Sequence, residues 1–422
     1  MKRAPKRIGF VATRLAGTDG VSLEAAKWSR VLTDLGHECF CFAGESDWSE
    51  ARTYRVPEAH FEHPEIQRLN VDLFDDCVRS PDTSHAVQRL KEHLKWHLRE
   101  FVRVFDLNLV IDENALSLPM NVPLGLALTE VIAETDWPTV AHHHDFSWER
   151  ERFAVNAAAD YLHAAFPPIL PAIHHVVINS FAARQLALRT GVSSLLIPNV
   201  IDFETPPPLL DDYAAGLHAA LGIHPADQLL LQPTRIVPRK RIQLAVELAH
   251  RLDERCVLVI SHSAGDEGHA YENYLRQFAG MLDVRAIFAA GLINHERGAG
   301  ADGRPIFSLA DIYQQADLVT YPSRVEGFGN AFLEAVYYRR PVVMSTYEIF
   351  KTDIEPKGFR VIGFEDFISD ETVHAVQLVL DNPALAAEMT AHNFELGRRH
   401  YSWRTLEHRL VNLLNECLGA DN

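Results

Sequence analysis

Residues 317–343 read DLVTYPSRVEGFGNAFLEAVYYRRPVV and carry a clear signal of secondary structure. It begins with a short apolar run, DLVTYP, that is typical of a buried strand. Gly327 and Gly329 then form a turn, NAFLEAVYYRR has a helical pattern, and PVV begins a second apolar run. A strand, a helix and another strand in this order predict a βαβ unit with two parallel strands.

The same alternation of apolar runs and amphipathic helical patterns extends along most of the chain. Residues 7–13 predict the first strand, and residues 21–35 predict a helix with one apolar face. The pattern stops at residues 203–212, FETPPPLLDD, because three consecutive prolines fit neither a helix nor a central strand. We therefore predict an α/β fold with two doubly wound domains, residues 1–202 and 213–400, joined by a Pro-rich linker at 203–212.

The composition argues against several classes of protein. The 422 residues carry 40 Lys and Arg against 57 Asp and Glu, which gives a net charge of −17. Such a charge repels nucleic acid and anionic lipid, so we expect neither as a partner. The apolar stretch near the N-terminus is only about one strand long, which predicts no signal peptide and no membrane span. The five cysteines never occur as C-x-x-C, which favours a cytoplasmic protein without structural zinc.

A basic segment, TRIVPRKRI at 234–242, follows the first predicted strand of the second domain. Cations at the beginning of a helix oppose its dipole, so a bound anion explains them better than a solvated surface does. Open parallel sheets bind ligands at the carboxyl ends of their strands, which makes the cleft between the two domains the expected site. We predict a phosphate site there, with Arg235 and Lys240 as its contacts.

Two loops have the composition of ligand-binding turns. The turn after the first strand contains Gly17 and Gly20, whose small size would let a phosphate approach the N–H groups of the following helix, although a purely structural turn explains it better. In the second loop, Glu326 precedes a helix and Glu334 lies about two turns inside it. One carboxylate can face a sugar and the other a ribose, but an acidic helix start plus a surface glutamate explains this spacing equally well.

Three adjacent histidines end another predicted strand, in HHHDFSW at 142–148. Successive strand residues point to opposite faces, so the three imidazoles cannot converge on one ion and we predict no metal site. His142 and His144 share a face of the strand, and the sequence does not separate them.

The run YPSRVEGFGNAFLEAVYYRRPVV resembles the signature of the retaining glycosyltransferases of family four, whose E-x7-E pair falls on Glu326 and Glu334. TRIVPRK is similar to that family's donor-diphosphate pair, and DGVSLEAAKWSRVLTDLGHEC is similar to its opening loop, helix and second strand. Together these matches span nearly the whole chain. Asp19 stands where the family often has a glycine, and Arg241 replaces the glycine that commonly follows the lysine.

The resemblance implies a GT-B fold, in which two Rossmann-like domains face each other across a cleft and a C-terminal helix within 401–422 packs back on the first domain. It also implies metal-independent, retaining transfer of a hexose from UDP-glucose or GDP-mannose to a small soluble acceptor, with or without a phosphate, and no cofactor besides the nucleotide sugar. The implied catalytic residues are His144, with His142 as second choice, Arg235, Lys240 and Glu326. The implied donor-binding residues are Gly17, Gly20, Phe328, Gly329, Asn330 and Glu334.

Two other functions remain open from the sequence. A sugar-nucleotide 2-epimerase shares the GT-B architecture and needs no acceptor, but the E-x7-E spacing and the RIVPRK segment argue against it. A non-catalytic sugar-nucleotide-binding partner in a larger glycosylation complex is equally compatible with the acidic composition. The identity of the acceptor and the oligomeric state are not determined by the sequence.

Overall fold

The computed structural model describes residues 5–17, 19–264, 268–294, 296–300 and 303–419. The chain forms two compact units, of which the first runs to Val200 and includes the chain again from Trp403, while the second spans Ile201–Ser402. The division therefore falls slightly before the predicted position at residue 202. The predicted linker, 203–212, begins inside the second unit, because Phe203 is buried against Tyr337 and Phe394 of that unit.

The first unit is built on a parallel sheet of seven strands. These are Arg7–Val11 (β1), Glu38–Ala43 (β2), Thr53–Arg55 (β3), Leu109–Glu113 (β4), Thr139–His143 (β5), Ile173–Val177 (β6) and Leu195–Leu196 (β7). Their order is β3-β2-β1-β4-β5-β6-β7, and every neighbouring pair is parallel. The strand order reverses between β1 and β4, so the carboxyl ends of these strands form the expected ligand-binding edge. Arg14–Leu15 and Glu45–Ser46 form a separate short parallel pair.

Helices cover both faces of this sheet. They are Gly20–Asp34 (α1), Pro64–Phe74 (α2), Pro81–Phe105 (α3), Val122–Thr135 (α4), Ala159–Ala165 (α5), Ser180–Thr190 (α6) and the C-terminal helix Trp403–Leu418. One apolar cluster packs α1 and the C-terminal helix on the sheet, and it includes Trp28, Leu406 and Leu410. A second cluster packs α3 and α4 on alternate residues of the same strands, and hence on the opposite face.

The second unit has a parallel sheet of six strands. They are Gln228–Gln232 (β8), Cys256–Ile260 (β9), Ala286–Phe288 (β10), Leu318–Tyr321 (β11), Val342–Ser345 (β12) and Ile362–Phe364 (β13), in the order β10-β9-β8-β11-β12-β13. The order again reverses between the first strand, β8, and β11. A small sheet of Ile293–Asn294, Gly298–Ala299 and Pro305–Ser308 adjoins the helix Leu309–Gln315. The predicted α/β class, with two Rossmann-like parallel sheets, is confirmed.

The α-helices of the second unit are Asp212–Ala215 (α7), Leu217–Leu221 (α8), Gln243–Arg251 (α9), Ala270–Met281 (α10), Leu309–Gln315 (α11), Asn330–Tyr337 (α12), Asp370–Asp381 (α13) and Pro383–His400 (α14). The sequence pattern predicts a helix from Arg241 to Leu252, but the helix begins two residues later, after a 3₁₀ turn at Pro238–Lys240. Arg241 itself is left-handed, with φ of 49°, and so cannot belong to the helix. Among the described residues, no helix is long and apolar enough to cross a membrane.

Candidate functional site

Each unit brings its chemically active side chains to the carboxyl ends of its central strands. In the first unit these side chains follow or end β4 and β5 and include Glu113, which the sequence analysis did not select. In the second unit they follow β8 and β11, where the basic segment and the glycine loop lie. This is the edge at which open parallel sheets bind ligands.

Glu113 joins the two candidate histidines of the first unit. Its Oε2 atom lies 3.0 Å from Nδ1 of His142 and 2.9 Å from Nε2 of His144, and all three side chains are buried. The strand register places Glu113 directly beside His142. His143 points to the other face, where its Nε2 lies 2.9 Å from Nδ1 of His175. The predicted alternation of the histidines is thus observed. His142 and His144 contact the carboxylate of Glu113 on one face, and His143 contacts His175 on the other.

The charges of this cluster are balanced internally. Burial by itself would raise the pKa of Glu113, but His142 and His144 lower it overall, which keeps the carboxylate ionised. Burial would lower the pKa of His144, yet the hydrogen bond and charge of Glu113 raise it above its ordinary value. Burial lowers the pKa of His142. Glu113 therefore favours the protonated form of His144, and burial favours the neutral form of His142.

The ligand atoms of Glu113, His142 and His144 lie within 4.8 Å of one another, close enough to hold a metal ion. A carboxylate and two imidazoles also form a common zinc-binding set. In this structure the same atoms are joined by hydrogen bonds of normal length, which accounts for their proximity without a metal. The expectation of a metal-free site stays a prediction.

The last residues of β4 and the adjacent face of α1 hold this cluster in place. Asn114, in a left-handed conformation with φ of 70°, accepts a hydrogen bond from the backbone N–H of His144 at 3.0 Å. Trp28 of α1 stacks on His142 with the ring centres 4.1 Å apart. The sequence shows that Glu113 and Asn114 end an apolar stretch, LNLVIDEN at 107–114. It does not show that this strand pairs with the strand that carries the histidines.

The glycine turn of the first unit differs from a phosphate-binding turn. Asp19 caps α1 by accepting hydrogen bonds from the N–H groups of Val21 and Ser22, each at 3.1 Å. The Gly17 N–H donates to Asp47 at 2.6 Å, and Gly20 is the first residue of α1. Carboxylates thus occupy N–H groups that the sequence analysis assigned to a donor phosphate. The donor-binding role of Gly17 and Gly20 stays a prediction, and this geometry does not support it.

In the second unit, the basic segment meets the glycine loop through a buried ion pair. Lys240 is buried at the end of the 3₁₀ turn, and its Nζ contacts Oε1 of Glu326. Burial would raise the pKa of Glu326, but the charges of Lys240 and Arg239 lower it overall. Arg235 is exposed nearby, and burial together with the charges of Arg235 and Lys240 lowers the pKa of His262 to about 4. A local positive field thus exists at the carboxyl ends of β8 and β9.

The backbone of the glycine loop is fixed by Tyr347, which follows β12. The Tyr347 hydroxyl donates to the carbonyl oxygen of Phe328 at 2.7 Å. Gly329 has φ of 116°, and a Cβ atom at this position would lie only 2.2 Å from the Tyr347 hydroxyl oxygen. Only glycine fits both constraints. Asn330, the first residue of α12, follows directly, so the loop leads into a helix N-terminus. The backbone N–H groups of a helix N-terminus favour a bound anion.

Glu334, the second member of the E-x7-E pair, lies about one turn inside α12 and not two turns as predicted, because the helix begins only at Asn330. Its Oε2 atom accepts a hydrogen bond from the hydroxyl of Tyr313 at 2.8 Å. The two carboxylates therefore have different surroundings, since Glu326 meets a cation and Glu334 meets a neutral phenol.

The chain has clear relatives. Residues 228–382 match the family model described as glycosyl transferases group 1. A mannosylglucosylglycerate synthase from Thermotoga maritima is 32% identical over 95% of this chain and 98% of its own length. A mannosylglucosylglycerate synthase from Petrotoga mobilis is 32% identical over 84% of this chain and 86% of its own length.

Solved structures show the same fold at low sequence identity. A glycosyltransferase from Rickettsia africae superposes with a TM-score of 0.70 at 12% identity, covering 99% of this chain and 100% of that one. Anabaena HepE in complex with UDP-glucose gives a TM-score of 0.68 at 12% identity, covering 97% of this chain and 100% of that one. These neighbours have the GT-B fold, as the sequence resemblance implies.

We predict that Glu113→Gln lowers the pKa of His144, because it removes the charge while nearly keeping the shape of the side chain. The change is measurable by NMR titration of the imidazole nitrogens. His175, whose pKa burial lowers to about 4, lies on the opposite face and serves as the internal control. An unchanged His144 titration would show that Glu113 does not hold the proton there.

The same variant gives a pH-dependent loss of stability. The raised pKa of His144 contributes stability below its unfolded value of 6.5, and this contribution disappears as the pH rises through the raised value. The lowered pKa of Glu113 contributes stability above its unfolded value of 4.5. The difference in unfolding free energy between wild type and Glu113→Gln is therefore expected to be largest between these two values and to shrink as the pH rises further.

Proposed function

The chain belongs to the group 1 glycosyltransferases, and we propose that it transfers a hexose, with retention of anomeric configuration, from a nucleoside-diphosphate sugar to a hydroxyl group of a small soluble acceptor. The observation that carries this proposal is the convergence of Arg235, Lys240 and Glu326 at the carboxyl ends of β8 and β11. Two cations suit a diphosphate, and a carboxylate suits the hydroxyl groups of a sugar.

The relatives' names support a more specific version of the donor and acceptor. Both relatives at 32% identity are named for mannosylglucosylglycerate, which consists of mannose joined to glucosylglycerate. We propose the same pair here, with mannose carried as GDP-mannose. Arg14 pairs with Asp19 at 3.2 Å, and Asp19 caps α1, so a phosphate at this turn would meet a carboxylate. This arrangement favours an acceptor without a phosphate.

Charge stabilisation of the leaving group is the main catalytic contribution in this proposal. Arg235 and Lys240 stabilise the diphosphate as it departs, and the acceptor hydroxyl attacks from the same face of the sugar. No carboxylate is assigned as a nucleophile. Removing one such electrostatic partner commonly lowers turnover on the order of a hundredfold to a thousandfold. These two cations take the place of a metal ion, so the proposed reaction is metal-independent.

Labelled donors test this function directly. Incubation of the protein with glucosylglycerate and labelled GDP-mannose or UDP-glucose should give a glycoside from GDP-mannose, with the α configuration retained in its NMR spectrum. The yield should survive EDTA, and loss restored by manganese would show that the metal independence is wrong. An isomerised sugar formed without acceptor would indicate an epimerase. Binding without turnover would indicate a non-catalytic sugar-nucleotide-binding protein.

We predict that Arg235→Ala weakens binding of GDP or UDP by about 10- to 100-fold, because it removes one charge-assisted contact to the diphosphate. Arg235 is exposed, so the variant should unfold at nearly the wild-type temperature. Arg255→Ala is the matched control, since it also removes one arginine charge. Arg255 precedes β9 and so lies at the amino ends of the strands, away from the proposed donor site. Calorimetry measures both affinities. Equal affinities in the two variants would remove Arg235 from the donor site.

Lys240→Ala is a less clean test of the same contact. It removes the nearer of the two cations that pair with Glu326 and leaves only Arg239, at 3.7 Å. Breaking a buried ion pair generally destabilises a fold by about 3–5 kcal/mol. Lost nucleotide binding in that variant would therefore not separate a binding role from a structural one.

We predict that His144→Ala lowers kcat roughly a hundredfold while the affinity for nucleotide, a property of the second unit, changes little. His142→Ala, made in parallel, controls for the register along the strand. An inactive His142→Ala with a nearly normal His144→Ala would move the role by two residues. Full activity in both variants would show that neither histidine takes part in the chemistry.

A further inference from the structure

Tyr313 is a fully buried tyrosine whose hydroxyl reaches α12. It lies on α11, and its hydroxyl donates to Oε2 of Glu334 at 2.8 Å and lies 3.4 Å from the carbonyl oxygen of Ala331. Tyr338 stacks on the Tyr313 ring with centres 5.0 Å apart and planes 11° from parallel. Packing thus fixes the ring, and the fixed ring fixes the position of one carboxylate oxygen.

The phenol and the carboxylate have complementary properties. Burial and the neighbouring Glu334 raise the pKa of Tyr313 well above its ordinary value. The phenol therefore stays neutral and acts as the hydrogen-bond donor. A neutral donor leaves the negative charge on Glu334. An ionised carboxylate has about four acceptor positions, so Oε2 can accept the Tyr313 bond and still accept from a ligand hydroxyl.

We propose that Tyr313 is a positioning residue that holds the Glu334 carboxylate for the two neighbouring hydroxyl groups of the donor's ribose. The proposal rests on the proposed function and extends it, by assigning the ribose of the nucleotide sugar to Glu334, the donor-binding member of the E-x7-E pair. A glutamate in the first turns of a helix has several side-chain rotamers, and the Tyr313 bond selects one of them before the nucleotide arrives. Pre-organisation of this kind raises affinity without adding a direct contact.

The contrast with Glu326 supports different tasks for the two carboxylates. Glu326 is paired with the cation Lys240, which lies in the segment assigned to the diphosphate. Glu334 is held by a neutral hydroxyl from a different helix. A diol is neutral and brings no charge to compensate, so the position of the acceptor oxygens matters more for it than a nearby cation does.

The test compares ribose and deoxyribose ligands. Calorimetry is used to measure the binding of GDP, 2′-deoxy-GDP, UDP and 2′-deoxy-UDP to the full chain as wild type, Tyr313→Phe and Tyr338→Phe. Tyr338→Phe is the matched control, because it removes a hydroxyl from the stacked neighbour and leaves the Glu334 bond intact. Phenylalanine fills nearly the same volume as tyrosine, and thermal unfolding of each variant verifies its fold.

The wild type is expected to prefer the ribonucleotide roughly tenfold, and Tyr313→Phe is expected to reduce this preference at least threefold, whereas Tyr338→Phe retains it. The Tyr313→Phe effect should also vanish in a Glu334→Gln background, since both changes act on one interaction. A Tyr313→Phe effect that persists in the Glu334→Gln background would overturn the positioning role. So would a preference for the ribonucleotide that Tyr313→Phe leaves unchanged. A preference lowered equally by Tyr313→Phe and Tyr338→Phe would overturn it as well.

Two further outcomes separate this proposal from the proposed function. If the wild type binds ribonucleotides and 2′-deoxyribonucleotides equally, Glu334 does not bind the ribose and the positioning role is overturned. The proposed glycosyl transfer would not be affected by that result. A wild type that binds no nucleoside diphosphate would overturn the donor site and the proposed function together.

Discussion

The buried pair of Lys240 and Glu326 is the interaction on which the candidate donor site depends. It joins the segment after β8 to the loop after β11, two strands that are adjacent in the sheet although far apart in sequence. Each charge lowers the cost of burying the other, and Arg239 lies 3.7 Å from the second carboxylate oxygen of Glu326. The pair thus holds the end of the basic segment next to the beginning of the glycine loop. Tyr347 and Gly329 then determine the path of the loop into α12.

A similar arrangement recurs in the first unit with different residues. Glu113 is the buried carboxylate there, and it raises the pKa of its partner His144. In both units a carboxylate and a basic side chain end or follow neighbouring parallel strands. Parallel pairing places strand ends side by side, so a single long-range register can create a charged site from residues about 30 or 86 positions apart.

The sequence predicted the elements well and the contacts less well. The repeated strand and helix patterns sufficed for the α/β class, because periodicity reflects burial directly. The E-x7-E pair and the basic segment were also visible, since each lies in one continuous stretch. Glu113 was missed because its importance depends on the register between β4 and β5, which no local pattern encodes. The bond between Tyr313 and Glu334 joins two helices and was equally hidden.

Asp19 and Arg241 illustrate how departures from a family pattern acquire a physical meaning. Asp19 supplies the cap that the N–H groups of α1 need, so this helix begins without an external anion. Arg241 adopts a left-handed conformation that suits glycine, and its guanidinium contacts the carbonyl oxygen of Asp366. The left-handed backbone is retained there even though the glycine is not.

The position of the C-terminal helix has a consequence for how the protein is made. The apolar face of β1 and α1 is completed by Leu406, Leu410 and Leu413, which leave the ribosome only after the whole second unit. During synthesis, the N-terminal residues emerge long before their final packing partner exists. The second unit, whose residues are continuous in sequence, is complete before the first. A nascent chain therefore exposes the α1 side of its first sheet until the helix that follows the second unit has been made.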